Sequence, residues 1–427
     1  MRKLTITALA VVVSVAVGAV PAHATNGYFS HGYGTHYKGM AGAGAALSLN
    51  TLAPATNPAA LAFLGNRWDL GLAVFNPNRS YTVTGNPSGF PGTFGLMPGT
   101  VESDSTAFYI PSLGANFEVG ESGAFGIALY GNGGMNTDWP TETFYAGPAG
   151  VDLSQMFVAP TYAVKLAEKH GLGLTAIAAI QWFEGRGVGS FAPFSTDPAN
   201  LSDNDKSYSY GAGLRLGYLG NFSPNFSVGA SYQTKIWMSE FDEYAGLFAQ
   251  KGDFDIPANW VIGIAIKPTE NVDIAVDVQQ VLYSQINAVG NPLMPALGMC
   301  MMQDPSGCLG AAEGPGFGWE DMTTVKAGLQ LRTGEGWAWR LGYSYGKQPI
   351  PDTEVLFNIL APGVIEQHVT AGFSKAFGTQ EISFALMRGL SNTVSGPNPL
   401  DPPSGQTIDL EMDQWEFELS WSFGIGD

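Results

Sequence analysis

The amino-acid sequence predicts an all-β fold, a transmembrane antiparallel β-barrel of about 14 strands whose lumen is plugged by an N-terminal segment. Three observations carry this. Segments after residue 66 alternate apolar and polar side chains with a period of two, and their connections alternate between short and long. The stretch from Thr25 to Leu64 holds six Gly, nine Ala and one charge, Lys38, too few charges for a disordered tail and too few large apolar residues for a core of its own. It suits the filling of a cavity built by the rest of the chain.

Composition supports a membrane setting. Charged residues are 13% of the chain, about half the usual share. No run after the leader supplies the roughly 20 apolar residues of a membrane helix. The longest uncharged candidate, Gln285 to Gln303, contains Asn287, Asn291, Pro292 and Pro295 and is expected to be a loop. A barrel is the other fold whose backbone satisfies its hydrogen bonds within lipid.

Residues 1–24 form a secretory signal: Arg2 and Lys3, an uncharged run from Leu4 to Val20, and the cleavage site Ala22-His23-Ala24. Subtracting those two cations from 19 leaves 17 basic residues against 37 acidic ones, a formal charge of −20. That balance argues against nucleic-acid partners. Residues 25–66 are then the plug and 67–427 the barrel, with no linker between further domains.

In the final strand, Trp415, Phe417, Leu419, Trp421 and Phe423 alternate with Gln414, Glu416, Glu418, Ser420 and Ser422. The same period marks Trp68–Val74, Ala107–Phe117, Phe125–Leu129, Leu172–Trp182, Tyr208–Tyr218, Trp260–Ile266, Ile274–Val278 and Trp337–Tyr345, with weaker runs near 153–166, 226–240, 322–332, 366–377 and 381–390. Six short turns rich in Gly, Asn, Pro or Ser separate seven long connections near 84–104, 132–150, 187–205, 243–254, 287–318, 346–363 and 391–408. Six short and seven long is the arithmetic of 14 strands with both chain ends on the turn side. Asp273, Asp277, Glu416 and Glu418 are expected to face the lumen. A soluble antiparallel sandwich would also alternate, but with its polar face outward and no use for an uncharged plug.

His31-Gly32-Tyr33-Gly34, Lys38-Gly39-Met40-Ala41-Gly42-Ala43-Gly44 and Asn57-Pro58-Ala59, followed by a strand near Trp68, resemble the N-terminal hatch of the FadL-type transporters of long-chain fatty acids and hydrocarbons (OMPP1/FadL/TodX). The resemblance implies a hatch-plugged outer-membrane barrel of a Gram-negative cell that takes up hydrophobic molecules passively. Cargo would land among extracellular loops, reach a pocket beside the mature N-terminus (Thr25, Asn26, Phe29), and leave sideways through a gap made by a kink in the third strand. Here that strand is expected to end in Gly131-Asn132-Gly133-Gly134, where glycines allow a bend. The family's Asn-Pro-Ala implies that Asn57, Pro58 and Ala59 lie by the exit. The resemblance also implies a monomer.

Other motifs are weighed against plainer roles. Gly342-Tyr343-Ser344-Tyr345-Gly346 fits a nucleophile-elbow pattern but sits in an alternating strand with no following helix. Gly42-x-Gly44 is no dinucleotide fingerprint, since Leu47 takes the third glycine's place. His31 and His36 lack a third ligand, so no metal and no cofactor is expected. Cys300 and Cys308 are expected to form a disulfide in an oxidising compartment. Asp203-Asn204-Asp205 and Glu240-Phe241-Asp242-Glu243 are solvated loop charge, or bind cations that bridge lipopolysaccharide. Phe191, Phe194, Leu247 and Phe248 are candidates for an apolar loop groove, or pack among the loops. The leading expectation is a channel for a hydrophobic small molecule in contact with outer-membrane lipid and lipopolysaccharide. A porin for polar solutes is the alternative, and a lipid hydrolase a third.

Overall fold

Period-two sequences pair into ladders once register is set by what each face meets, and here one face meets lipid and the other a filled lumen. The computed structural model describes residues 26–424, so the leader, Thr25 and Ile425 to Asp427 lie outside the described residues. Fourteen strands form the wall: β1 (Arg67–Thr84), β2 (Phe108–Val119), β3 (Gly123–Asp138), β4 (Gly150–Leu166), β5 (His170–Arg186), β6 (Ser207–Ser223), β7 (Phe226–Gln233), β8 (Asn259–Thr269), β9 (Val272–Val281), β10 (Met322–Thr333), β11 (Trp337–Gly346), β12 (Gln367–Phe377), β13 (Gln380–Pro397) and β14 (Thr407–Phe423). Each pairs antiparallel with its neighbours, and β14 closes on β1 from Trp68↔Phe423 to Thr84↔Thr407.

Closure of β14 on β1 leaves neither terminal strand as a free edge, so the backbone is satisfied around most of the ring. The sides of the wall are as the alternation requires. Trp415, Leu419 and Trp421 are 37, 58 and 48% exposed, whereas Glu416 and Glu418 are 3% exposed. Asp273 and Asp277 are likewise buried inward. Among the described residues, no helix is long and apolar enough to cross a membrane.

Two boundaries that bear on the site differ from the sequence reading. β3 does not end at Gly131 to Gly134 but runs on to Asp138, its register with β4 shifting between Gly131 and Gly133 so that Asn132 is extruded. The glycines are therefore a bulge inside a strand, held by contacts that arrive from the distant N-terminus. The run near 226–240 breaks at Gln233, and the short piece Trp237–Met238 rejoins β6 before the chain turns into the lumen.

Residues 26–64 lie inside the ring, and their partners come from strands all around it. Asp69 of β1 accepts from the Thr51 amide and hydroxyl at 2.8 and 2.7 Å. Asn132 of β3 accepts from the Tyr33 hydroxyl at 2.9 Å, and Asp277 of β9 from the Gly44 and Ala45 amides at 2.8 and 2.9 Å. The Lys326 ammonium of β10 donates to the His31 carbonyl at 2.8 Å, and the Thr370 hydroxyl of β12 to the Gly39 carbonyl at 3.0 Å. Small residues are needed because backbone meets wall with little room for side chains. The segment's one cation, Lys38, lies between Glu416 and, at 2.6 Å, Glu418 of β14.

Candidate functional site: a loop cavity and a break in the wall

The wall is interrupted at one side. Pairing between β2 and β3 runs only from Val119↔Gly123 to Leu113↔Leu129, although β3 continues loopward for nine more residues, all but Asn132 paired to β4. The two strands therefore part between Ile110–Ser112 and Tyr130–Thr137. Farther toward the loops the segment that precedes β2 meets β3 again, where the Asp104 amide donates to the Asp138 carbonyl at 2.9 Å. Arg79 of β1 spans part of the opening by donating to the Asn136 and Ser105 carbonyls.

The bulge explains the parting. The Gly134 amide donates to the Tyr28 carbonyl at 2.9 Å, the Ser30 amide to the Asn132 carbonyl at 3.0 Å, and Phe29 bridges to Gly133. A β3 bonded to the plug turns away from β2. A Cβ at Gly133 would lie 1.7 Å from the Tyr28 oxygen, so only glycine permits this approach. Behind the opening is a small cavity lined by Ile110, Ser112, Tyr130, Gly131, Lys38 and Glu418.

On the loop side a second cavity is wholly aromatic and aliphatic, with Phe144, Phe183, Phe191, Leu247, Phe248 and Phe357 among its walls. Its volume is about 30 Å³, room for no more than a couple of waters. Phe191 and Phe248 are 2 and 3% exposed, so the groove residues inferred from sequence line an enclosed cavity and not an open surface. Phe194 packs against the same cluster from outside the cavity wall. From this cavity rings follow one another inward: Phe248 to Phe254 at 4.9 Å, Phe254 to Tyr28 at 6.2 Å, Tyr28 to Phe29 at 5.4 Å. The last of these stands at the wall break.

The other inferred residues divide. Asn26 and Phe29 belong to this aromatic end, where the Tyr283 hydroxyl donates to the Asn26 carbonyl. Asn57, Pro58 and Ala59 do not stand beside Gly131 to Gly134. They pack against β5 and β6 near the turns, with the Asn57 amide donating to the Tyr218 carbonyl at 2.8 Å and its side-chain oxygen accepting from Ala59 at 3.1 Å. Asn57 is there the cap of the 3-10 turn Pro58–Phe63.

Phe144, Phe183, Phe357, Tyr28 and Phe254 were missed, because aromatics scattered over five segments share no local signal. The acidic loop pieces touch: the Asn204 side chain donates to the Glu243 carbonyl at 2.7 Å. Nearby, burial and the neighbouring Asp255 push the Asp253 carboxyl up to about 6. Ser344 lies in β11 facing inward, its hydroxyl 3.2 Å from His368 Nδ1, while the other His368 nitrogen meets Gln414 and not a carboxylate. No elbow exposes that serine, which is fully buried.

Cys300 and Cys308 are bonded to each other in the fifth long loop. Closing so short a loop is worth about 2.5 kcal/mol on chain-entropy grounds. Replacing both by Ala is expected to speed proteolysis within residues 300–308 by roughly tenfold or more, and unaltered cleavage would show that neighbouring packing holds the loop instead.

A closed 14-stranded barrel with an occupied lumen, an apolar cavity among long loops and a side break defines an outer-membrane transport barrel. The chain belongs to the outer membrane protein transport family OMPP1/FadL/TodX, whose model matches residues 15–381. It is thus a multi-pass protein of the Gram-negative outer membrane. Solved structures agree in fold. The toluene transporter TodX of P. putida superposes with a TM-score of 0.68 at 17% identity, over 93% of this chain and 99% of that one. The Ralstonia pickettii toluene transporter TbuX gives 0.62 at 18% over 93 and 99%, and a Pseudomonas aeruginosa FadL homologue 0.66 at 15% over 94 and 100%. No curated protein matches.

Proposed function

We propose that this protein takes up small hydrophobic molecules, long-chain fatty acids or hydrocarbons, and releases them sideways into the membrane. Residues 25–66 are its hatch and 67–427 its barrel, after export has removed residues 1–24. Cargo enters the loop cavity at Phe191 and Phe248, follows the ring series past Tyr28 and Phe29, and leaves between Ile110 and Tyr130. The observation that carries this reading is the end of β2–β3 pairing at Leu113↔Leu129 beside a bulge bonded to the plug.

Burial drives capture, at roughly 0.8 kcal/mol per CH₂ group, so no covalent step is needed and the protein is not an enzyme. The cavity walls must yield to admit cargo, which edge-on phenyl rings do by rotating. The toluene transporters TodX and TbuX share this fold, which supports the hydrocarbon branch. A general porin would need a wet lumen, and residues 26–64 occupy it. A ring that closes on itself within one chain, β14 on β1, is in keeping with a monomer surrounded by lipid and lipopolysaccharide.

Gly131→Leu tests the exit. A Cβ there would lie 3.1 Å from the Ile110 side chain, so the added isobutyl group fills the opening. Overpacking of 1–3 kcal/mol raises the exit barrier enough to slow apolar uptake by about tenfold, with the barrel folded. Uptake at the normal rate would remove this opening from the route. Ser344→Ala is expected to leave lipid release unchanged, and loss of any such release would revive the hydrolase reading.

A further inference from the structure

A line of buried amides joins the loop end of the ring series to the exit. Gln155 of β4, Gln181 of β5 and Ser209 of β6 are register partners, one inward-facing rung across three strands. Beside that rung, next to Gly133↔Gln155, stands Asn132, the residue extruded from β3. The Asn132 side-chain nitrogen donates to Gln155 Oε1 at 2.9 Å, the Gln155 nitrogen to Gln181 Oε1 at 3.1 Å, and the Gln181 nitrogen to the Phe254 carbonyl at 2.8 Å. That carbonyl can only accept, which fixes the orientation of every amide before it. Asn132 Oδ1 is left at the far end, where the Tyr33 hydroxyl donates to it at 2.9 Å.

Both ends of the line lie on the transport route. Phe254 is the ring between Phe248 and Tyr28, and Phe241 stands 6.4 Å away on a further side. Fully buried among these rings, it clears no path by turning in place, so passing cargo shifts its backbone too. At the exit, the Tyr33 ring meets Tyr130 edge-on at 5.0 Å, and both line the small cavity behind the opening. Tyr33 is held there by its bond to Asn132, whose carbonyl also accepts from the Ser30 amide.

Asn132, Gln155 and Gln181 are at most 1% exposed, so no water replaces a bond that is pulled open. Leaving one buried amide unpaired is less favourable than moving its neighbour along with it. We propose that Gln155 and Gln181 are positioning residues of the exit. Through Asn132 they keep Tyr33 against Tyr130 while the loop cavity is empty, and they release it when cargo shifts Phe254. Entrance and exit are thus coupled by three side chains. This coupling rests on the route given above, from the loop cavity past Tyr28 to the opening at Tyr130.

The test is amide exchange of the full chain in nanodiscs, with and without saturating toluene, beside a toluene uptake assay. In wild type, toluene is expected to speed exchange at the Ser30 and Gly134 amides, which bond plug and bulge to each other, by about tenfold. Gln181→Met cuts the line at its loop end and leaves Asn132 bonded to Gln155, so that response should vanish. Maximal uptake should fall about tenfold with half-saturation unchanged, since the loop cavity is untouched. Gln155→Met with Gln181→Met removes both middle links and should act in the same way, which serves if the single variant folds poorly. Ser209→Ala takes away only the longer acceptor of the Gln181 nitrogen, at 3.3 Å, and should respond like wild type. A response of wild-type size in the cut variants would overturn the assignment, as would wild-type uptake with no response at all. If Gly131→Leu still slows uptake in that case, the route stands and only the coupling is lost. Uptake unaffected by Gly131→Leu would remove both.

Discussion

Deleting Asn26 to Gly65 is expected to turn a barrel that passes small sugars slowly, if at all, into one that passes them at the rate of an open porin, read as swelling of liposomes. The deleted stretch occupies the lumen, and what remains is a ring with a polar inner face. Asp69, Asp277, Lys326, Glu416 and Glu418, each buried against the plug, would then be hydrated. The loss of plug contacts is therefore offset by water at every charged group, and the wall's own ladder is untouched because plug and wall share only side-chain bonds and the few backbone bonds at β3. Resistance of the deleted barrel to protease would establish that it folded. Slow swelling from such a folded barrel would mean that something other than residues 26–64 closes it.

The second large effect is expected at Lys38. Its ammonium lies between Glu416 and Glu418, all three nearly excluded from solvent. Lys38→Met leaves two carboxylates two residues apart on one face of β14 with no cation between them. Breaking a buried charge arrangement by removing one partner costs about 3–5 kcal/mol. Spread over the plug, that should speed amide exchange in residues 26–64 by roughly a hundredfold to a thousandfold, with β1 to β14 little affected. Adding Glu416→Gln and Glu418→Gln to Lys38→Met should recover most of the protection, since a neutral cluster has no uncompensated charge. Exchange within a few-fold of wild type in the single variant would show that the lysine's neighbours, and not its charge, seat the plug.

Legibility in the sequence varied with the range of the interaction involved. Alternation is a local property, so Trp415 to Phe423 announced both the strand and its lipid side, and the turn and loop lengths announced the number of strands. As large apolar residues in long connections, a mark too common there to single out Phe144 or Phe357 as well, Phe191 and Phe248 were visible. Their burial was not, because it depends on Phe144, Phe183 and Phe357, which approach from three other segments. Asn57, Pro58 and Ala59 were recognisable as a motif but not placeable: whether they sit at the wall break or at the turns depends on how the plug is threaded.

By itself, then, the chain's order of residues determined a membrane barrel of 14 strands, its inward and outward faces, and a small-residue segment suited to its interior, because those follow from period, length and side-chain size. Only the tertiary structure decided where the wall opens. That choice rests on bonds such as Gly134 to Tyr28, more than a hundred residues apart, and on the register they impose on β3. Contacts of that range leave no trace in neighbouring residues, so no periodicity could have pointed to them.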